Sequence, residues 1–515
     1  MKKKLLWVDD EIELLKPYFI FLESKNYHVE TCSNGNDAID MVRNTSYDVV
    51  LLDEMMPGKD GLTTLEEMKD IDPSIKVIMV TKSEEESIME EAIGHKIDDY
   101  LIKPVNPSQV LLSLKKTLES KDINSQRIQD DYLRELQEIR MNLMNHEYGD
   151  SGWIKLHEKL SQYAIKLDEL NDATLNDTFL ELKKEANAQF SDYVGTYYEE
   201  WVHTTRDDRP KLSVDILKED VVPKLKAGEQ VIFIVLDCLR LDHWYVLEQM
   251  LQEDFRIETE SFYSIVPTTT AYARNAIFSG KYPDEFAQMV PGFWDRNENE
   301  LNRDEVFFAE QNLGRNGIKG APYYIKCNTN EDILQLNKSI SSVFAHDFSI
   351  IIVNTIDIMT HSRAESSILK ELVPNDASYR RLMESWLKSS ALYQLFQLLK
   401  TSDHSIVLTT DHGSIQCKRD VKINGDKDTS SNLRFKHGRS LTVPKKFAAI
   451  VKDPHRFKLP HRGFSSDYII GKEDYYFIYP TSYNKFASQY DKSYQHGGIS
   501  LDEMVIPVAH LKGKS

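Results

Sequence analysis

VIFIVLD, residues 231–237, is apolar at six consecutive positions and closes on an aspartate. A run that is apolar on both faces has no solvent side and belongs in the middle of a parallel sheet covered by helices. Two further stretches repeat the pattern, FSIIIVNTID at 348–357 and SIVLTTD at 405–411, and each also ends in an acid. Central strands of a parallel sheet bring their carboxyl ends to one edge, so Asp237, Asp357 and Asp411 are predicted to converge. His412 follows Asp411 in TTDHGS, and His361 lies one helical turn after Asp357, on the same face. His496 sits in YQHGGIS, where two glycines would let the backbone approach a ligand, and Ser500 with Glu503 reads as a capping box.

Asp237, Asp357, His361, Asp411, His412 and His496 are six mixed nitrogen and oxygen donors. Such a set suits two Zn²⁺ or Mn²⁺ ions better than one, because zinc takes about four ligands. Two ions roughly 4 Å apart are an arrangement suited to in-line displacement at phosphorus. A nucleophile is expected nearby. SIVPTTTAYARNAIFSG, residues 264–280, places three threonines at the start of a helical pattern, where backbone N–H groups favour an anionic phosphate. A metal ion beside such a hydroxyl would lower its pKa.

Outward from this region, 515 residues are too many for one ordinary domain. Hydrophobic residues at 41% and charged residues at 28% describe a globular chain rather than a disordered one. With 63 Lys and Arg against 82 Asp and Glu, the net charge is −19, which disfavours wholesale coating of DNA or an anionic membrane. The four cysteines are far apart, with no CxxC pair. The apolar run in MKKKLLWVDDE stops at Asp9, too short for a signal peptide, and no stretch approaches the roughly 18 apolar residues of a membrane span. A soluble cytoplasmic protein with reduced thiols is expected.

Residues 1–120 alternate strand-like runs (KKLLWVDD, HVETCS, DVVLLD, KVIMVT, DDYLIKP) with helical patterns around 14–23, 36–44, 65–69, 84–93 and 110–118. Five β–α repeats imply a parallel sheet covered on both faces. Asp9, Asp10 and Asp53 fall at strand ends and would need a hard cation, most simply Mg²⁺. Thr81 and Lys103, at two further strand ends, supply the hydroxyl and ammonium that phosphorylation of Asp53 requires. From 121 to 205 only helical periodicity remains, as in Leu136, Ile139, Leu143 and in Trp153, Leu156, Leu160, Tyr163, Leu167. Turns at 148–152 and 171–174 favour a three-helix bundle over a coiled coil.

WVDDE at 7–11, LLDEMMPGKDG at 51–61, VT at 80–81 and DYLIKP at 99–104 make residues 1–120 resemble a bacterial response-regulator receiver domain. The resemblance implies a flavodoxin-like fold, Mg²⁺ on Asp10 and Asp53, phosphorylation of Asp53 by a sensor histidine kinase, and Tyr100 as an aromatic switch residue. The order of Asp237, Thr270, Asp357-x-x-x-His361, Asp411-His412 and His496, with PTTTAYAR at 267–274, makes residues 206–515 resemble the PglZ and phosphodiesterase branches of the alkaline phosphatase superfamily. An α/β/α domain with a central, mostly parallel sheet is implied. So are two zinc sites, one from Asp357, His361 and His496 and the other from Asp237, Thr270, Asp411 and His412. Thr270 is the implied nucleophile, with Thr269 as the other candidate. The three parts together resemble the PorX-type response regulators of Bacteroidetes. That likeness implies control of type IX secretion, dimers formed on phosphorylation, and phosphodiesterase activity on cyclic and linear oligonucleotides.

The polar stretch 413–440, read as a long loop beside the metals, carries Lys418, Arg419, Lys422, Lys427, Arg434, Lys436, His437 and Arg439. Lys422, Arg434 and Lys436 are its candidate contacts to a polyanionic substrate. Tyr272, Phe293, Trp294, Tyr323 and Tyr324 could stack bases or simply pack. A second reading takes the chain as a non-enzymatic interaction protein whose phosphorylation regulates binding to a sigma factor or a secretion component, because no DNA-reading module is recognisable.

Overall fold

The computed structural model describes residues 2–82, 97–170, 172–297, 300–425, 432–461, 467–481 and 483–514; the side chains of 119–131, 364, 365 and 367 lie outside that description. The chain divides into two compact units, Met1–Glu135 and Leu136–Ser515.

In the first unit, strands β1 (Lys3–Val8), β2 (Tyr27–Cys32), β3 (Val49–Asp53), β4 (Val77–Thr81) and β5 (Asp99–Ile102) form a parallel sheet in the order β2-β1-β3-β4-β5. Alternation of side chains along each strand divides the core in two. Leu6, Val8, Val50, Leu52, Val77 and Met79 pack with Ala38 and Leu65, while Leu5, Trp7, Val49, Leu51, Ile78 and Val80 pack with Leu22, Val110 and Leu114. The helices Gly35–Asn44 and Gly61–Ile71 start where Asn34 and Asp60 accept the Asp37 and Thr63 amides at 3.0 and 2.8 Å. The helix expected at 84–93 lies outside the described residues.

In the second unit, the three apolar runs become β6 (Val231–Leu236), β9 (Phe348–Val353) and β10 (Ser405–Thr409), in which every residue is buried. They stand with β7 (Phe255–Tyr263) and β8 (Tyr323–Cys327). Seven short strands follow, β11 (Ile415–Gln416), β12 (Arg419–Lys422), β13 (Phe435–Gly438), β14 (Ala448–Val451), β15 (Asp467–Gly471), β16 (Tyr475–Ile478) and β17 (Tyr494–Gln495), before β18 (Val505–Gly513). The main sheet runs β7-β18-β10-β6-β9-β8; β10, β6, β9 and β8 are parallel, and β18 is antiparallel to both its neighbours. Among the described residues, no helix is long and apolar enough to cross a membrane.

Two expectations need correction. The strand expected to reach Asp357 stops at Val353, and Asp357 stands in the first turn of the helix Thr355–Glu365. The stretch 413–440 is not one long loop: it contributes β11, β12 and β13, which pair with β17, β16 and β15. Those partners are 29 to 80 positions later in the chain, so local periodicity carried no trace of them.

The helices Pro107–Met144, Asp150–Leu170 and Ala173–His203 occupy the expected helical region. The last two bury their apolar stripes largely against the α/β layer: Asp150–Leu170 packs on the helices Leu241–Leu251 and Asp376–Ser389, and Phe190 and Trp201 stack on Tyr263 of β7. Both helices are therefore built into the second unit rather than standing apart as a spacer. His157 and His243 are fully buried beside them, and burial holds both imidazoles down to about 4. A folded pKa below the unfolded one means that the unfolded chain binds more protons between about pH 4 and 6.5. Stability from this source is therefore lost as pH falls through that window, by roughly 1.4 kcal/mol per pH unit for each histidine. Urea midpoints should accordingly fall less steeply with acidification in His243→Phe than in the unsubstituted protein; parallel profiles would contradict this.

Candidate active site and receiver pocket

The first acidic cluster forms at the carboxyl edge of the smaller sheet. Asp9 and Asp10 follow β1 and Asp53 ends β3, and donor oxygens of the three lie within 4.8 Å of one another. Lys103, just past β5, places Nζ 2.9 Å from Asp9 Oδ2 and 3.0 Å from Asp53 Oδ2. Burial lifts the Asp53 carboxyl above the usual range, and the ammonium offsets only part of that rise. Burial would depress Lys103, but its two carboxylate partners outweigh this and hold it above its ordinary value. Thr81 ends β4 with its hydroxyl donated to Glu54, the neighbour of Asp53. Tyr100 of β5 is 41% exposed. Gly61 is required by packing, since a Cβ there would lie 2.4 Å from the Asp53 carbonyl oxygen.

At the corresponding edge of the larger sheet, Asp237 follows β6 and Asp411-His412 follows β10. The helix Thr355–Glu365 supplies Asp357 and His361, and His496 follows β17. The six side chains divide into two groups, Asp357–His361–His496 and Asp237–Asp411–His412, and in each group one donor atom per residue lies within 4.8 Å of the others. The imidazoles are aimed by their second nitrogens. His412 Nδ1 donates to the Gly413 carbonyl (3.1 Å) and His496 Nδ1 to the Thr268 carbonyl (3.2 Å), leaving each Nε2 as a free lone pair. His412 and His496 stack at 4.1 Å, bringing the two groups side by side.

A divalent ion fits both groups on structural grounds. His361 Nε2 and His496 Nε2 face each other at 2.9 Å, and Asp357 Oδ1 is 3.4 Å from both; two lone pairs at that distance require a cation or a proton between them. In the other group Asp411 Oδ2 is buried without a hydrogen-bond partner. Burial, and then the neighbouring Asp411, drive Asp237 well above the usual carboxylate range. Carboxylate and imidazole donors in this number suit zinc.

Thr270 opens the helix Thr270–Ser279 with Oγ1 3.2 Å from His412 Nε2 and 3.5 Å from Asp237 Oδ1. Thr269, at the N-cap, keeps a buried hydroxyl with no hydrogen-bond partner among the described residues. Both threonines line a cleft of about 790 Å³ that also touches Asp237, Asp357, His361 and His496. Thr270 is thus the threonine that faces the donor atoms.

Several predicted contacts are placed elsewhere. Arg434 does not reach the cleft: its guanidinium is fully buried and bound to Glu503 at 3.1 and 2.7 Å. Lys436 is buried with Nζ 5.0 Å over the Tyr479 ring, and Lys422 lies 4.2 Å over Tyr483; neither lines the cleft. Lys427 lies outside the described residues. Each of the other three cations is instead engaged by a nearby partner: Arg434 by Glu503, Lys436 by the Tyr479 ring and Lys422 by the Tyr483 ring. The second glycine after His496 has a related use, since a Cβ on Gly498 would lie 2.2 Å from Arg434 Nη2, so it admits the Arg434 side chain. Ser500 does cap the next helix, accepting the Glu503 amide at 3.2 Å, but the Glu503 carboxylate is committed to Arg434, Ser500 and the Gly498 amide. Arg434→Ala is expected to cost about 3–5 kcal/mol of stability, because it leaves a buried carboxylate unpaired. An unchanged melting profile would instead return Arg434 to the list of substrate contacts.

The cations that do line the cleft among the described residues are Arg274 and Lys326. Arg274, four residues after Thr270 on the same helical face, bonds Asp237 Oδ2 (2.8 Å), Asn354 Oδ1 (2.9 Å) and Glu305 Oε1 (2.7 Å). Lys326 Nζ reaches the other Glu305 oxygen at 2.8 Å. The spacing Thr270-x-x-x-Arg274 was the available signal for Arg274; nothing local pointed to Glu305. Of the aromatic candidates, Tyr272 lines the cleft against Trp294 (4.6 Å) and Phe435 (5.7 Å), while Phe293 packs in a cluster with Phe286 and Phe308. Tyr323 stacks on His346, and the Tyr324 hydroxyl is held by Glu305.

Three family models match the chain in succession. Residues 5–115 match the response regulator receiver domain, 122–202 the PorX response regulator linker domain, and 216–511 the BREX system PglZ alkaline phosphatase-like domain. The chain is 35% identical over 115 residues to the transcriptional regulatory protein ResD of Bacillus subtilis, covering 22% of this chain and 48% of that protein. It is 27% identical over 140 residues to SrrA of Staphylococcus aureus, covering 27% of this chain and 58% of that protein. The chain therefore spans about half the length of these curated relatives. Among solved structures, a CheY-like receiver domain protein from Methanospirillum hungatei is similar at 27% identity and a TM-score of 0.23, covering 24% of this chain and 99% of that one. By the match over 216–511, more than half of its 515 residues, the chain belongs to the PglZ family of alkaline phosphatase-like domains, carried behind a receiver and a PorX linker in the order of a PorX-type response regulator.

Proposed function

We propose that the chain is a response regulator whose output domain is a zinc-dependent phosphodiesterase acting on cyclic and linear oligonucleotides. The observation that carries this reading is the Thr270 hydroxyl held 3.2 Å from His412 Nε2 beside six donors already sorted into two groups. Two bound Zn²⁺ ions would supply Lewis acidity and a lowered hydroxyl pKa. Asp357, His361 and His496 would hold one ion, and Asp237, Asp411, His412 and Thr270 the other. Thr270 Oγ1 gives its proton to solvent and forms the new bond to phosphorus, the ester oxygen leaves with its electron pair and takes up a proton, and water later breaks the phosphothreonine bond and restores the hydroxyl. Arg274 keeps Asp237 in place and puts positive charge where the phosphate oxygens arrive. Purified protein assayed on bis-nitrophenyl phosphate and a cyclic dinucleotide tests the reading; turnover indifferent to a chelator would sink it.

In the receiver, Asp9, Asp10 and Asp53 would hold Mg²⁺, and Asp53 accepts a phosphoryl group from a cognate sensor histidine kinase. Lys103 and Thr81 meet the incoming oxygens, and Tyr100 follows the change. Phosphorylation pairs two chains into a homodimer in the cytoplasm, and likeness to PorX-type regulators supports an output in type IX secretion. Asp53→Asn should remove all phosphorylation by acetyl phosphate, seen as loss of the retarded band on a phosphate-affinity gel. A retarded band in that variant would move the acceptor elsewhere.

A further inference from the structure

The helix Ala173–His203 presents one polar stripe to the α/β domain, Lys183, Asn187, Ser191 and Tyr198, set in an otherwise apolar face of Ala186, Phe190 and Val194. Each member of the stripe is bonded to a segment that builds the metal centre. Asn187 Oδ1 accepts the Leu501 amide at 2.8 Å. Ser191 Oγ accepts the Glu473 amide at 3.1 Å, and its single proton lies between the carbonyls of Asn187 (2.7 Å) and Ile499 (2.9 Å). Residues 499–501 directly follow His496-Gly497-Gly498. The Tyr198 hydroxyl accepts the Val266 amide at 3.0 Å, four residues before Thr270. Lys183 Nζ bonds Asp502 Oδ1 (2.8 Å) and Asp376 Oδ2 (3.1 Å). Both acids also bind Arg240, which donates to the Ser414 carbonyl two residues after His412.

The two segments are tied to each other as well. Thr268 Oγ1 donates to the Gly498 carbonyl and accepts the Gly497 amide, both at 2.9 Å, and its own carbonyl accepts His496 Nδ1. Residues 264–269 and 496–498 are irregular, so these bonds act alongside β17 and the helix Thr270–Ser279 in fixing where His496 and Thr270 stand. We propose that the linker helix is a working part of the metal centre. Asn187, Ser191 and Tyr198 are positioning residues that hold the His496 and Thr270 segments in register, and Lys183 extends the same grip to Asp411-His412. A helix is stiff, and advancing it by one residue is 1.5 Å and 100°. Any shift of this helix therefore moves the ligand segment and the nucleophile segment together, which makes it the route by which the linker sets activity. The catalytic consequence rests on the diesterase reading; the positional claim does not.

Hydrogen exchange on the full-length chain separates the two. Asn187→Ala and Ser191→Ala should each raise exchange across 497–503 by about tenfold, the worth of one lost hydrogen bond, with β6 and β10 unchanged. Tyr198→Phe, which removes one oxygen, should do the same across 264–270. Asn187→Asp keeps an acceptor for the Leu501 amide and should restore protection. Zinc affinity, measured by competition with a chromophoric chelator, should fall about tenfold in Asn187→Ala and recover in Asn187→Asp. Exchange at the unsubstituted rate in both segments, or an Asn187→Asp chain as exposed as Asn187→Ala, overturns the proposal. Should the alanine variants fail to fold, Tyr198→Phe decides alone by its effect over 264–270. An unsubstituted chain that takes up no zinc would sink the diesterase reading while the exchange results still decide the role of the helix.

Discussion

Thr270→Ala is expected to reduce phosphodiester turnover by about a thousandfold or more while the protein keeps its fold and its metal. The size of the effect follows from the role: without Oγ1 there is no atom to form the bond to phosphorus, and a bound water is a poorly positioned replacement. Retention of metal follows from the donor count, because Asp237, Asp411 and His412 still converge without the threonine. Thr269→Ala provides the contrast. Its hydroxyl bonds to nothing among the described residues, so losing it should change turnover only by a small factor. Steady-state rates with metal content measured on the same samples distinguish the outcomes. Equal losses in the two variants would mean that the whole segment, rather than the Thr270 hydroxyl, is responsible; full activity in Thr270→Ala would end the nucleophile assignment.

Stripping the metals should have the second large effect, abolishing turnover and lowering the melting midpoint by several degrees. An ion bound only by the folded chain stabilises it by about 4 kcal/mol at a thousandfold excess over its dissociation constant. Its removal here leaves more than an empty place. Asp237 and Asp411 are buried against each other with Arg274 as their nearby cation, and His361 and His496 are left nitrogen to nitrogen at 2.9 Å. The stripped site has to take up protons to relieve this, so metal release should be accompanied by proton uptake. Calorimetry with and without chelator, followed by zinc restoration, checks all three parts. A melting curve indifferent to both treatments would show that these donors hold no metal.

The receiver was the most legible part of the chain. Its strands are short, its polar residues fall at strand ends, and each reading depends on neighbours in sequence: Asp9 and Asp10 after one strand, Asp53 after another. The placement of the candidate donors Asp237, Asp411 and His412 was legible for the same reason, since a parallel sheet brings the ends of β6 and β10 together by its topology alone. Arg434 and Lys436 were misread because charge beside a site implies substrate only if the charge is free. Arg434 is consumed by Glu503, a partner 69 positions away that no local pattern could supply. Asp357 was assigned to the wrong element because FSIIIVNTID continues its apolar character past the point where the backbone turns helical.

The chain by itself determined which side chains can do chemistry and which strand ends carry them, because periodicity, apolar runs and the spacing of acids and histidines are properties of neighbouring residues. Only the tertiary structure decided that Thr270 rather than Thr269 faces the ligands, that Arg274 and Glu305 stand behind Asp237, and that the linker helix grips the loops of the site. Those are contacts between segments up to some three hundred residues apart, and their geometry is set by packing, which no single stretch of sequence contains.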